Sequence, residues 1–351
     1  MTNNKKIVLL APTPPPYGGI AIWTEKMKKA KLKNGWLVKV VDEKTIGKRS
    51  AFKFNLFNIH NEIKRHKRIW KNLRQELKSD EPTIVQACIP AGDRSMLREI
   101  ISAKITKKRR KKFIVHFRCT IPNQVKTITS KLILKKLLKK TDFVFVLNEK
   151  SADFISKYTN NYAVIPNFIE KKQLYTRNNY SEKIKKVLYV GAIIESKGCK
   201  SIIDTARHFP EIEFRLVGKI CMKLNDIPNN VVLLGENNRE VIAKEYQGAD
   251  VFMFLSLFPG EGFSNSLVEA MSYSLPCIVT DWAANKDMIE DKGGIVLKNN
   301  SVNEVITAIN SISSAKIRRK MGKWNHEKVK SCYLDSCVIN MYVNEYEKII
   351  R

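Results

Sequence analysis

The stretch "ADVFMFLSLFPGEGFSNSLVEAM", Ala249 to Met271, decides how this sequence folds. "DVFMFLS" is a short apolar run of the kind a sheet buries on both faces, and "SLVEAM" opens a helical pattern. Pro259, Gly260 and Gly262 turn the chain between them, so the segment reads as strand, loop and helix. Ser264 or Asn265 can cap the helix. The free N–H groups of roughly Asn265, Ser266 and Leu267 then face outward, where the helix dipole favours an anion such as a diphosphate. Glu261 precedes the helix and Glu269 lies about one turn inside it, too far apart to share a proton. Phosphate repels a carboxylate, so both are suited to hydroxyls on either side of the anion. A sugar nucleotide has hydroxyls so placed. A solvated Glu261 and a capping Glu269 are the plainer reading of the same residues.

The same alternation extends in both directions. "KKIVLLAP", "WLVKVVD", "TIVQACI", "KFIVHFR", "DFVFVLNE" and "NYAVIPN" are strand candidates in the first half, with helical patterns at about 59–78, 93–106 and 128–140. After the polar stretch "FIEKKQLYTRNNYSEKIKK", which reads as a linker, the alternation restarts with "VLYVGAI", "EFRLVGK", "VVLLGE", "DVFMFLS", "PCIVTD" and "GGIVL". Helices fit at about 198–208, 238–248, 265–274, 284–290 and 302–313. Strands alternating with helices predict parallel, doubly wound sheets, so the fold class is α/β with two Rossmann-like domains. The expected boundaries are 1–170, 171–330 and a C-terminal helical segment 331–351 packing across both domains, its helical pattern beginning near Ile317.

A chain of 351 residues suits two domains, and 44% hydrophobic with 28% charged residues argues for folding throughout. Seven scattered cysteines, with no C-x-x-C pair and no histidine cluster, predict a reduced cytoplasmic setting and no metal. No apolar run reaches the ~18 residues of a membrane span. The charge is uneven: residues 1–170 hold 37 Lys and Arg against 13 acids, net +24, whereas residues 171–351 are net +5. The first half therefore faces something anionic, nucleic acid or an acidic membrane surface.

In an open parallel sheet the loops leaving the carboxyl ends of strands carry ligands. "PTPPPYGG" is one such loop, where Gly18 and Gly19 bring bare backbone to the start of a helix, a geometry suited to phosphate. It is not G-x-G-x-x-G, which argues against a dinucleotide.

At this point the sequence resembles the retaining glycosyltransferases of family 4, with their GT-B fold and E-x7-E signature. The resemblance runs through "PPPYGGIA", "IVHFR", "VIPNFIE", "VGAIIESKG", "VVLLGE", the opening stretch and "LPCIVTD". It implies a cleft between two Rossmann-like domains, the second holding the nucleotide-sugar donor and the first the acceptor. By this resemblance Glu261 contacts the donor sugar, Glu269 the ribose, and Lys197 of "ESKG" the donor phosphates. His116 approaches the transferred sugar, and Gly18, Gly19 and the run Gly262, Phe263, Ser264, Asn265, Ser266, Leu267 complete the donor site. His116, Lys197 and Glu261 are the catalytic candidates. No cofactor and no metal are expected, because helix dipole and basic side chains replace a divalent ion. Three positions depart from the family pattern: Ala192 where arginine is common, Ser274 for a glycine, and Ala283-Ala284 for Gly-Gly. Arg118 or Arg94 could supply the missing cation.

The expected activity is therefore transfer of a sugar from a nucleotide diphosphate to a hydroxyl, with retained configuration. The expected acceptor is a polyprenyl-diphosphate-linked or other glycan in bacterial O-antigen or capsule assembly. "KLILKKLLKK", Lys131 to Lys140, reads as an amphipathic helix with Leu132 as the one apolar residue on its lysine face. With "KRSAFKFNLF", carrying Phe52, Phe54 and Phe57, it suggests a peripheral enzyme on an anionic inner membrane face. The alternatives are a nucleotide-sugar epimerase or a phosphorylase of the same fold, or a basic nucleic-acid-binding protein. No pyridoxal lysine and no nucleic-acid motif is evident for the last two.

Overall fold

A computed structural model describes residues 4–16, 18–45 and 56–351, with side chains from residue 60 onward in the last span. Tyr17, Phe52, Phe54 and the side chain of Phe57 lie outside the described residues. The chain divides into two compact units, Met1–Pro166 with Ile339–Arg351, and Asn167–Val338.

The first unit runs β1 (Lys5–Ala11), α1 (Gly19–Lys29), β2 (Trp36–Asp42), α2 (Leu56–Glu76), β3 (Thr83–Ile89), α3 (Asp93–Lys108), β4 (Lys112–Phe117), α4 (Ile121–Gln124), α5 (Ile128–Leu138), β5 (Phe143–Val146), α6 (Glu149–Ile155) and β6 (Tyr162–Val164). Its six strands are parallel in the order β2-β1-β3-β4-β5-β6. The apolar runs explain this: Ile7 to Leu10 and Phe113 to Val115 are wholly buried, as strands covered on both faces must be. On one face Ile69 and Leu73 of α2, Met96 and Ile100 of α3, and Leu134 and Leu137 of α5 pack with Val8, Val85 and Val115.

The second unit runs β7 (Lys186–Val190), α7 (Cys199–Ala206), β8 (Glu213–Val217), β9 (Val231–Gly235), α8 (Arg239–Gly248), β10 (Val251–Phe254), α9 (Asn265–Ser272), β11 (Cys277–Thr280), α10 (Asn285–Ile289), β12 (Gly294–Leu297), α11 (Val302–Ser311) and α12 (Ala315–Lys328). Its strands are also all parallel, in the order β12-β11-β10-β7-β8-β9. The two Rossmann-like sheets expected from the alternation are both present.

Two segments differ from their local reading. The tail is not one helix, because α12 gives way to a π-helical turn at Val329–Tyr333, and α13 (Asp335–Ile350) starts afresh. Leu334 is extended, and Ile169 takes the backbone bonds a continuous helix would use, donating to Tyr333 O at 3.0 Å and accepting from Asp335 N at 2.9 Å. Of the segment 331–351, residues 339–351 group with the first unit. There Tyr342 and Tyr346 of α13 pack beside Phe145 on the sheet face opposite α2, α3 and α5. The polar stretch read as a linker is docked on the second unit. Tyr175 N donates to Ser272 O at 3.0 Å, Arg177 Nη2 to Tyr246 O at 2.9 Å and the Tyr180 hydroxyl to Ser274 O at 2.9 Å. These bonds reach distant carbonyls, which local periodicity does not register.

Candidate active site

The second sheet reverses its winding between β7 and β10, where one half builds outward through β8 and β9 and the other through β11 and β12. Such a switch point opens a crevice beyond the carboxyl ends of the two strands. The loop after β7 contains the 3₁₀ turn Glu195–Lys197, and the loop after β10 contains Glu261. Leu257 N donates to Ser196 O at 2.8 Å and holds the loops together. Gly198 makes that approach possible. Its φ is 76°, and a Cβ there would stand 2.4 Å from the Leu255 carbonyl oxygen.

Across this junction Lys197 Nζ lies 2.7 Å from Glu261 Oε1, an ion pair whose angles do not make a hydrogen bond. The two side chains are 19% and 13% exposed, so the pair is sheltered but reachable. The same ammonium stands 5.8 Å and 5.6 Å from the ring centres of Phe254 and Phe258, which keep bulk water from part of it. Phe258 O accepts from Glu261 N at 3.0 Å and from Trp282 Nε1 at 2.7 Å, so the turn carrying Glu261 is pinned.

Ser264, rather than Asn265, is the cap of α9: its Oγ accepts from Leu267 N at 3.3 Å. Of the three amides expected to be open, Leu267's is therefore engaged. Among the described residues the amides of Asn265 and Ser266 meet no acceptor. Asn265 Oδ1 accepts from Asn167 Nδ2 at 2.9 Å, and Asn167 also donates to Phe263 O at 3.1 Å. Glu269 lies one turn inside α9, with the Tyr246 hydroxyl 3.3 Å from Oε2 and 3.1 Å from Ser266 O. Burial, with Glu269 alongside, pushes the Tyr246 phenol far above its ordinary range, so it keeps its proton and can donate to Glu269. Sequence reasoning missed Asn167 and Tyr246 as supports of the helix start. The "VIPN" motif signals the first, whereas nothing local signals the second.

The departures from the family pattern keep the turns but strain them. Ser274 and Ala283 adopt φ of 57° and 51°, the left-handed region that glycine enters freely. Ala192 O accepts from the Tyr189 hydroxyl at 2.8 Å, which fixes the loop after β7 without an arginine.

The candidates of the first unit are arranged differently. Gly18 caps α1 with an extended φ of −136°, and a Cβ there would meet nothing within 4 Å. Gly19 begins α1. His116, near the end of β4, is wholly buried. Its Nε2 is 3.1 Å from Arg118 Nη1, and its Nδ1 is 3.4 Å from both the Gln86 amide nitrogen and the Tyr342 hydroxyl. Burial and the Arg118 charge hold its pKa well below 6.5, so the ring is neutral. The Arg118 guanidinium stacks 4.4 Å over Trp23 of α1. Arg94 is exposed on α3.

A second buried cluster follows β2. Arg98 Nη2 donates to Glu43 Oε2 at 2.6 Å and Arg98 Nε to Glu99 Oε1 at 2.5 Å, while Arg65 Nε donates to Glu43 O at 2.7 Å. Burial drives the Glu43 carboxyl up to about 8, with Arg98 pulling the other way and Glu99 adding like charge. Among the described residues no group of three histidine, cysteine or acidic side chains is placed to hold a metal ion.

Comparison with known proteins places this geometry in context. Residues 171–328 match the family Glycosyl transferases group 1. Lys197, Glu261, Ser264 and Glu269 all fall inside the matched region. No curated protein matches the chain. Among solved structures, sucrose-phosphate synthase from Thermosynechococcus elongatus is 16% identical with a TM-score of 0.77, covering 99% of each chain. HepE of Anabaena, solved with UDP, is 12% identical with a TM-score of 0.72, covering 98% of this chain and 100% of its own. The lipopolysaccharide outer core galactosyltransferase WaaB is 17% identical with a TM-score of 0.68, covering 98% and 99%. At these identities the likeness shows the fold, which is GT-B. The group 1 match and the GT-B neighbours together support a glycosyltransferase.

Proposed function

We propose that the chain transfers a sugar from a nucleotide-diphosphate donor to an acceptor hydroxyl with retention of configuration, as a member of family 4. The observation that carries this reading is the Lys197–Glu261 pair at the β7/β10 switch point, beside the two open amides that begin α9. The donor diphosphate meets the amides of Asn265 and Ser266 and the positive end of the helix dipole. Lys197 turns to the departing phosphate, where its charge stabilises the transition state. Glu261 is then released to accept from the hydroxyls of the sugar, and Glu269, from the next turn, accepts from the ribose. Lys197 also screens Glu261 from the diphosphate, which removes the repulsion the sequence posed. Retention without an evident nucleophile points to a front-face route, in which the leaving phosphate deprotonates the acceptor. HepE, solved with UDP and with UDP-glucose, supports a UDP-sugar as the first donor to try.

His116 acts in this reading through the backbone and through Arg118, since its ring is buried. The acceptor is a polyprenyl-diphosphate-linked glycan of bacterial O-antigen or capsule assembly, reached from the cytoplasmic face of the membrane. No metal takes part, so turnover survives chelation.

The test begins with a thermal-shift panel of UDP-, GDP- and ADP-sugars, since a ligand at 100 times its Kd stabilises by about 2.7 kcal/mol. Glu261→Ala and Lys197→Ala each lower turnover of the stabilising donor at least tenfold, about 1.4 kcal/mol of transition-state stabilisation. Circular dichroism stays unchanged in both. Unchanged turnover in both variants refutes the site. Consumption of donor without any acceptor points to an epimerase instead.

A further inference from the structure

The outer surface of α2, α3 and α5 repeats one pattern three times. On α5, Leu134, Leu137 and Leu138 pack on the sheet, while Ile128 and Leu132 are 78% and 61% exposed on the opposite face. At spacings of three, four, seven and eight residues these two share that face with Lys131, Lys135 and Lys136, all exposed. Leu97 and Ile101 of α3, 48% and 39% exposed, stand likewise among exposed Arg94, Lys104 and Lys108. Ile63 of α2, 49% exposed, stands among Lys67, Lys71 and Arg74. The helices are neighbours on one side of the first sheet. Their carboxylates add little negative charge. Glu62 pairs with Arg65, Glu76 with Lys6 and Glu99 with Arg98, and Asp93 is half-buried in the first turn of α3.

We propose that this surface docks the first unit on an anionic lipid surface, with Ile128 and Leu132 entering the boundary between headgroups and acyl chains. The proposal rests on the surface alone and is independent of the donor-site reading. Lysine rows by themselves suit any polyanion. Two aliphatic side chains centred in such a row add nothing to phosphate binding along a nucleic acid, whereas a lipid interface takes up both charge and apolar area. A second copy of the same face would bring like charges together, which opposes self-association. Among the described residues no helix is long and apolar enough to cross a membrane, so the contact is interfacial. The local reading counted Leu132 as an exception on the lysine face. The structure makes it half of the feature.

The test is flotation of the full chain with vesicles of neutral phosphatidylcholine, and with vesicles containing about 30% phosphatidylglycerol, at about 0.1 M salt. The expected result is binding to the anionic vesicles and none to the neutral ones. Ile128→Ser combined with Leu132→Ser lowers anionic-vesicle binding at least tenfold, with an unchanged melting temperature because both sites are exposed. Lys131→Glu with Lys135→Glu abolishes it. Failure of the wild-type chain to bind anionic vesicles, equal binding to both vesicle types, or wild-type binding by the serine variant overturns the proposal. Salt-dependent binding to single-stranded or duplex nucleic acid, with the vesicles ignored, assigns the surface to a nucleic acid and overturns it as well.

Discussion

The two units build the same six-stranded parallel sheet and place their polar groups in opposite ways. At the β7/β10 switch point of the second unit, Lys197 and Glu261 are partly exposed, and the first amides of α9 meet no acceptor among the described residues. In the first unit His116 near the end of β4 and Arg118 after it form one buried cluster, Glu43 after β2 forms another with Arg98 and Glu99 of α3, and exposed cations stand on the outer helices instead. One sheet end thus leaves a charged pair and the first amides of a helix within reach of a ligand. In the other, the described polar groups bury one another, and exposed cations stand on the outer helices. A shared fold fixes where a crevice opens, and the side chains at the strand ends decide what it holds.

The sharpest way to break this contrast is Gly198→Ala. The added methyl would meet the Leu255 carbonyl at 2.4 Å with φ at 76°, so the β7 and β10 loops must part. Overpacking and left-handed strain together predict a loss of about 2–4 kcal/mol by denaturant unfolding, along with loss of nucleotide binding. Full stability would show that the junction is not tight.

The buried end of the first unit predicts a pH effect. Glu43 has a folded pKa raised from 4.5 to about 8, so folding takes up a proton. Its contribution is full below the ordinary carboxylate range and is lost as pH rises toward and past 8. Between pH 7 and 8.5 the wild-type chain loses about 1 kcal/mol of stability per pH unit relative to Glu43→Gln. His116, held well below 6.5 when folded, titrates alike in the two proteins and cancels from the comparison. Parallel pH profiles of the two proteins would place the proton elsewhere.

The smallest effect is expected at Ala283→Gly. Relief of the left-handed strain at φ 51° is opposed by the greater freedom of glycine in the unfolded chain, leaving a gain of about 0.5 kcal/mol or less. A clear loss of stability would mean that the Ala283 methyl, which is buried, matters more for packing than for strain.

Much of the fold was legible because each strand is a short apolar run followed by a helical period, as "VLYV" before Cys199–Ala206 and "VFMF" before Asn265–Ser272 illustrate. The cap of α9 could be narrowed to Ser264 or Asn265 from residue type, and only the geometry chose between them. What escaped depends on distance along the chain. The bond from Asn167 to Asn265 spans 98 residues, and that from Tyr246 to Glu269 spans 23. The break at Leu334 is set by Ile169, and the docking of Tyr175 and Arg177 by carbonyls of α8 and α9. The proximity of Lys197 to Glu261 follows from strand order, which spacing does not contain.

Hydrogen exchange across the chain, with and without a saturating amount of whichever nucleotide among UDP, GDP and ADP raises the melting temperature most, tests the central claim most directly. The account predicts that the amides of Asn265 and Ser266 slow at least tenfold. Stabilisation by the nucleotide with exchange unchanged at those two amides would contradict it.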